Sequence, residues 1–209
     1  MAVQNASAGP VDGAVSLDTY FAMARGNDDV RAMEMTKWFD TNYHYIVPEL
    51  GPDTAFRLSG SKPFDALAEA KNAGGSAKVV LIGPLTFLLL GKGEDATFDP
   101  LSLLDSLVPV YVEIVEKLAA RGAEWIQIDE PILVTDVDRA ALDGLTRAYK
   151  AIAAAKGDAK IIVQTYFDHV GDAYDALVNL PVDGVGLDLA RGADNARFIA
   201  EQGFPQDKM

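Results

Sequence analysis

The sequence predicts one α/β domain built from parallel βαβ units. Three observations carry that expectation. Short, nearly continuous apolar runs alternate with longer stretches whose apolar residues recur at helical spacing, the pattern of parallel strands covered by helices on both faces. Gly-Pro or acidic breaks follow the runs at 78–82 and 125–128. The 209 residues are 49% hydrophobic and 23% charged, enough for one sizeable core and unlike a disordered chain.

Residues 78–82 (KVVLI) read as a buried strand ended by Gly83-Pro84. Over 100–121, Leu104, Leu107, Val108, Tyr111, Val115 and Leu118 recur at helical spacing, and Gly122 suits the position after the last turn. Residues 125–128 (WIQI) form the next strand, stopped by Asp129-Glu130-Pro131. A helix over about 138–155 follows, then strand 160–165, a short helix over 173–179, strand 182–187 and a last helix over 194–202. Two further strands are expected near 43–47 and 55–59. Residues 1–15 are small and polar, and are expected to form a flexible segment before a domain spanning 16–209.

Four clear strands fall short of a closed (β/α)8 barrel, which needs eight and typically about 250 residues. The residues therefore leave two architectures open, a doubly wound sheet or part of a barrel. Neither G-x-G-x-x-G nor G-x-x-x-x-G-K-[ST] occurs, which removes the main support for a nucleotide-binding sheet.

Charge and composition exclude several functions. Eighteen Lys+Arg against 31 Asp+Glu give a net charge of −13. Such a surface repels nucleic acid and anionic membranes, so neither is expected as a partner, and an anionic ligand would need a local cluster of cations. The chain has no cysteine and two histidines, so disulfides and thiolate chemistry are excluded and a self-contained metal site is not expected. The N-terminus lacks the basic and apolar regions of a secretory signal. The longest apolar run, 79–90, is broken by Gly83-Pro84 and Thr86 and is short of the roughly 18 residues of a membrane span. A cytoplasmic protein is expected.

In parallel sheets, functional residues gather at the carboxyl ends of the strands. Here those ends carry Gly83 to Thr86, Asp129-Glu130, Thr165 to His169, and Asp188 with Arg191. Asp129 and Glu130 invite a hydrolase reading with paired carboxylates. Neighbours on a strand point to opposite faces, so only one faces the mouth and Asp188 would have to complete the pair. The alternative is that one caps the following helix. A second stretch, 34–49 (EMTKWFDTNYHYIVPE), mixes Trp38, Phe39, Tyr43 and Tyr45 with Lys37, Asp40, Asn42 and His44, and fits neither period 3.6 nor 2. It reads either as a surface for a ring with an anionic tail or as an irregular buried loop with Lys37 reaching to water. His44 reads as a hydrogen-bonded, half-buried histidine, and Arg25 as a surface residue.

Residues 17–26, the block EMTKWFDTNYHYIVPEL (34–50), Gly83-Pro84 with Leu88-Leu89-Leu90, WIQIDEP (125–131), Thr165-Tyr166-Phe167 and Asp188-Leu189-Ala190-Arg191-Gly192 resemble, in this order, the amino-terminal domain of cobalamin-independent methionine synthase. The resemblance runs from about residue 16 to the end. It implies an α/β fold of the (β/α)8 TIM-barrel type, present as an incomplete barrel with open strand edges. It also implies part of a methyltransferase that moves a methyl group from 5-methyltetrahydropteroyltri-L-glutamate to homocysteine. By match to the motif, Lys37 and Asn42 would bind the folate's polyglutamate tail, where a cation suits carboxylates and an amide both donates and accepts. The family's zinc and homocysteine belong to a second barrel with Cys, His and Glu ligands. Without cysteine this chain cannot supply that site, so the 209-residue chain is expected to bind no cofactor and to be inactive alone.

Overall fold

Strand runs and helix signals alternate along the chain and build a mixed α/β structure. The computed structural model describes residues 2–3 and 15–209, and the segment 1–15 expected to be flexible falls outside them except at residues 2, 3 and 15. In chain order the elements are β1 (Ala2–Val3), α1 (Leu17–Arg25), β2 (Met35–Lys37), β3 (His44–Ile46), β4 (Glu49–Leu50), β5 (Phe56–Arg57), α2 (Lys62–Asn72), β6 (Lys78–Ile82), α3 (Pro84–Leu89), β7 (Lys92–Gly93), α4 (Leu104–Ala120), β8 (Trp125–Asp129), α5 (Arg139–Ala154), β9 (Lys160–Gln164), α6 (Tyr174–Val178), β10 (Gly184–Gly186) and α7 (Asp194–Gln202).

The central sheet is parallel, with the order β6-β8-β9-β10. Each strand lies beside its successor and the order never reverses, so the sheet is singly wound. A doubly wound sheet would show a switch point. The register is in step, Lys78 beside Trp125 and Trp125 beside Lys160, which aligns the carboxyl ends of β6, β8 and β9. At the far edge, the Met209 N–H donates to Asp183 O (3.1 Å) and the Val185 N–H donates to Met209 O (2.9 Å). That is the bonding pattern of a parallel ladder, and it puts Met209 where the next strand would lie.

The core forms on one face of this sheet. Ile126, Ile128, Ile161 and Val163 are fully buried in a cluster with Leu107, Val115 and Leu118 of α4 and Leu145, Tyr149 and Ile152 of α5. Asp99 caps the turn at Pro100–Leu103 and Asp138 caps α5, each accepting a backbone N–H. In α4 the apolar spacing holds, with Leu104, Leu107, Tyr111, Val115 and Leu118 buried, and α5 forms where a helix is expected. The region 100–121 nonetheless divides into a 3-10 turn over Pro100–Leu103 and the α-helix proper, because Pro100 begins one segment and the stripe starts at Leu104.

The opposite face corrects the expectation of a sheet covered on both sides. Side chains alternate along a strand, and Lys78, Val80 and Ile82 lie on the open side of β6. Val80 is 53% exposed and Ile82 47% exposed. This face is therefore open at β6, while Trp125 and Gln127 of β8 and Ile162 and Gln164 of β9 on the same face are half-buried.

Three helices, α1, α2 and α3, had no assignment from the sequence. Helix α2 buries only Phe64 and Leu67, too short a stripe to show a period. The six residues of α3 are apolar nearly all round, so periodicity cannot separate them from the strand they follow.

The one-sided core makes a paired prediction. Ile128→Ala removes a fully buried side chain and should cost about 3 kcal/mol in urea unfolding, whereas Val80→Ala, on the open face, should cost under about 1 kcal/mol. Equal costs would contradict the assignment of faces.

Candidate functional site

Asp129 and Glu130 end β8 and diverge. Gln127, two residues earlier and on the same face as Asp129, donates through Nε2 to Asp129 Oδ1 (2.6 Å), and Tyr166 Oη donates to Oδ2 (3.0 Å). Asp129 remains 9% exposed toward the open side. Burial raises its pKa, opposed by the hydrogen bonds from Gln127 and Tyr166 and by the Lys78 charge. Burial and the Asp129 charge likewise push the Tyr166 hydroxyl well up, so it stays a proton donor at neutral pH.

Glu130 turns the other way, into the core. Its carboxylate accepts the backbone N–H groups of Leu85 (3.2 Å) and Thr86 (2.7 Å), the Thr86 hydroxyl (2.7 Å) and the Tyr149 hydroxyl (3.1 Å). Two of those donors are the free N–H groups of the first turn of α3, so Glu130 is the cap of that helix. Gly83 makes room for it, since a Cβ at 83 would run into the Glu130 carboxyl group. Burial pushes the Glu130 pKa up to about 7 against the opposing hydrogen bonds from Thr86, Leu85 and Tyr149.

Residues 34–49 owe their lack of a hydrophobic period to exposure. They contain an antiparallel hairpin, β2 against β3, with Lys37 paired to His44. All three residues of β2 and His44 are exposed, so no alternation between core and solvent is written into the sequence. Lys37 and Asn42 are both exposed, which excludes a buried loop. Among the described residues neither side chain has an ion pair or side-chain hydrogen bond. His44 is exposed too, its Nδ1 3.2 Å from Asn42 O.

The hairpin is tied to the ends of the parallel strands. Trp38 stands edge-on to Tyr45 and to Phe39, with centroids 5.6 and 5.2 Å apart, and lies close to the Tyr166 hydroxyl. Phe39 meets the Phe167 ring at 5.8 Å, Asp40 pairs with Arg191 at 2.5 Å, and Tyr45 Oη donates to Leu90 O (3.2 Å) just beyond α3. The structure thus brings Lys37 and Asn42 to the rim that carries Asp129, Tyr166, Asp188 and Arg191.

The hydrolase pair finds no support in this geometry. Glu130 is buried and fully engaged as a cap. Asp188 accepts the N–H groups of Phe167 (3.0 Å), Ala190 (2.9 Å) and Arg191 (2.9 Å), and its pKa is lowered first by the Arg191 bond. Sequence reasoning missed Gln127 and Tyr149. The spacing of two between Gln127 and Asp129 was the one available signal, and Tyr149 had none.

Fold and rim define the class of protein: a singly wound parallel α/β domain whose polar groups collect on the loops after its strands. The family described as "Cobalamin-independent synthase, N-terminal domain" matches residues 8–209, and the chain belongs to that family. A 5-methyltetrahydropteroyltriglutamate–homocysteine methyltransferase of Streptomyces avermitilis is 53% identical over 181 residues, covering 85% of this chain and 23% of the relative. The protein of the same name from Catharanthus roseus is 49% identical over 201 residues, covering 94% of this chain and 26% of the relative. The chain therefore spans about a quarter of the length of these relatives. A solved structure of a putative vitamin-B12-independent methionine synthase from Listeria monocytogenes shares the fold at a TM-score of 0.53 and 19% identity, covering 66% of this chain and 46% of that one.

The buried cap has a pH signature. Between the usual carboxyl value of 4.5 and about 7, the native state holds a proton on Glu130 that the unfolded chain has lost. Stability from this group is therefore full below 4.5, falls as pH rises, and levels off above about 7. The loss is on the order of 3 kcal/mol. Glu130→Gln should lower stability by about 1–3 kcal/mol and flatten the profile over that window. Urea titrations at several pH values check this, and an unchanged slope in Glu130→Gln would contradict it.

Proposed function

We propose that this chain is part of the amino-terminal barrel of a cobalamin-independent methionine synthase and that its rim hairpin binds the polyglutamate tail of 5-methyltetrahydrofolate. The observation that carries the reading is an exposed cation without an ion partner, Lys37, on a hairpin pinned to the carboxyl ends of a parallel sheet. In a chain of net charge −13 a polyanionic tail is repelled almost everywhere, so an anchored, uncompensated lysine marks where one is tolerated. Asn42, at the tip of the same hairpin, adds an amide that donates to a carboxylate and accepts from a peptide N–H.

The sequential strand order supports the barrel reading, because successive neighbours without reversal are what an arc of a (β/α)8 barrel contains. The relatives' name supplies the reaction, methyl transfer from 5-methyltetrahydropteroyltriglutamate to homocysteine, and the cytoplasm is the proposed setting. Zinc does not fit the residues of this chain. There is no cysteine, and among the described residues no three histidine or acidic side chains gather as a ligand set. Zinc and homocysteine are assigned to the remainder of the parent enzyme, and no step of this chain's chemistry runs through the metal. Its part is to hold the tail, and alone it is proposed to be inactive.

Calorimetric titration with the mono- and triglutamate forms of 5-methyltetrahydrofolate tests this. The chain should prefer the triglutamate, and Lys37→Ala should weaken triglutamate binding about tenfold while changing monoglutamate binding much less. Equal affinity for both forms would overturn the reading. Methionine formed above background on adding zinc, homocysteine and the triglutamate would overturn the proposed inactivity.

A further inference from the structure

The hairpin carries two features that its hydrogen bonding does not require. Phe39 has φ of 51° and Phe167 has φ of 85°, the two non-glycine residues with positive φ among those described. Bulky side chains rarely adopt that region, and such strain persists where surrounding contacts enforce it. These two residues, one on the hairpin and one on the loop after β9, face each other with ring centroids 5.8 Å apart.

Next to them, Asp40 and Arg191 form an ion pair across 151 positions of sequence. The Arg191 guanidinium also lies over the Phe167 ring, 5.8 Å from its centroid. The sheet-side halves of both contacts hang on one group. The Asp188 carboxylate accepts the Phe167 N–H through one oxygen and the Ala190 and Arg191 N–H groups through the other. One carboxylate thus sets the backbone of both residues that grip the hairpin.

We infer that Phe39–Phe167 and Asp40–Arg191 form a clasp, organised by Asp188, that fixes the β2–β3 hairpin over the strand ends and thereby sets the preference for a polyglutamate over a monoglutamate folate. The inference rests on the proposed function and deepens it. Arg191 and Asp40 are positioning residues. Their charges satisfy each other, so Lys37 is left to meet the tail. An exposed ion pair contributes little to stability, so the clasp acts on where Lys37 and Asn42 stand more than on whether the chain folds. With the hairpin released, Lys37 would sample many positions and lose the advantage of a preset geometry, while a ligand without the extended tail would lose little.

The test measures the ratio of triglutamate to monoglutamate affinity in the 209-residue chain, with a thermal melt of each variant. Arg191→Ala should lower the ratio about three- to tenfold, and the reversed pair Asp40→Arg with Arg191→Asp should recover most of it. Lys117→Ala, which removes a comparable surface ion pair with Glu113 on α4, should leave the ratio unchanged. If Arg191→Ala fails to melt cooperatively, the milder Asp40→Asn decides by the same ratio. An unchanged ratio in the clasp variants, while Lys37→Ala collapses it, overturns the clasp alone. An unchanged ratio in Lys37→Ala as well overturns the tail-binding reading and the clasp with it.

Discussion

The structure depends on a carboxylate that ends a strand and enters the core. Glu130 joins three parts of the fold at one point: the end of β8, the first turn of α3 through two backbone N–H groups and the Thr86 hydroxyl, and α5 through Tyr149. A buried carboxyl is costly unless its oxygens are fully used, and here every donor aimed at it is itself buried and has few alternatives. Removing it would orphan the N-terminal amides of α3 and two hydroxyls together. The same strand end therefore has one carboxylate turned into the core, Glu130, and one turned toward the open face, Asp129.

That division organises the site. With Glu130 fixed inward, the alternation of the strand aims Asp129 at the open side, where Gln127 and Tyr166 hold it. Tyr166 in turn contacts Trp38 of the hairpin. Helix α3, capped by Glu130, ends beside Leu90, whose carbonyl accepts the Tyr45 hydroxyl from the other side of the hairpin. The hairpin is thus braced at Tyr45, Trp38, Phe39 and Asp40, and its exposed face is left to Lys37 and Asn42. Core packing on one face of the sheet and ligand-facing groups at its carboxyl edge follow from one register.

Much of this was legible in the sequence. The four central strands are marked by apolar runs and by breaks such as Gly83-Pro84 and Asp129-Glu130-Pro131, α4 by its apolar period, and α5 and α7 by the alternation of strands with helices. The rule that neighbours on a strand diverge separates Asp129 from Glu130 in the sequence alone. What stayed hidden had physical reasons. The strands of the hairpin are three residues long and largely exposed, so they carry no hydrophobic alternation. Helix α3 is a buried apolar run without a polar face. The uncovered face of β6 was illegible because Val80 and Ile82 look the same in sequence whether or not another layer covers them. The clasp between residues 40 and 191 is a product of topology, and no local pattern announces it. The mixed stretch that holds Lys37 and Asn42 stands out from its residues, and the family resemblance assigns those two to the tail. The structure adds that they are exposed, unpaired and anchored at the rim.

The most direct test of the central claim is amide hydrogen exchange of the chain with and without the triglutamate form of 5-methyltetrahydrofolate. Ligand bound at the rim hairpin should slow exchange across residues 35–46 and in the 188–191 loop, while leaving α4 and α5 unchanged. Protection confined to the open face of β6, or no change in the hairpin at saturating ligand, would contradict the account.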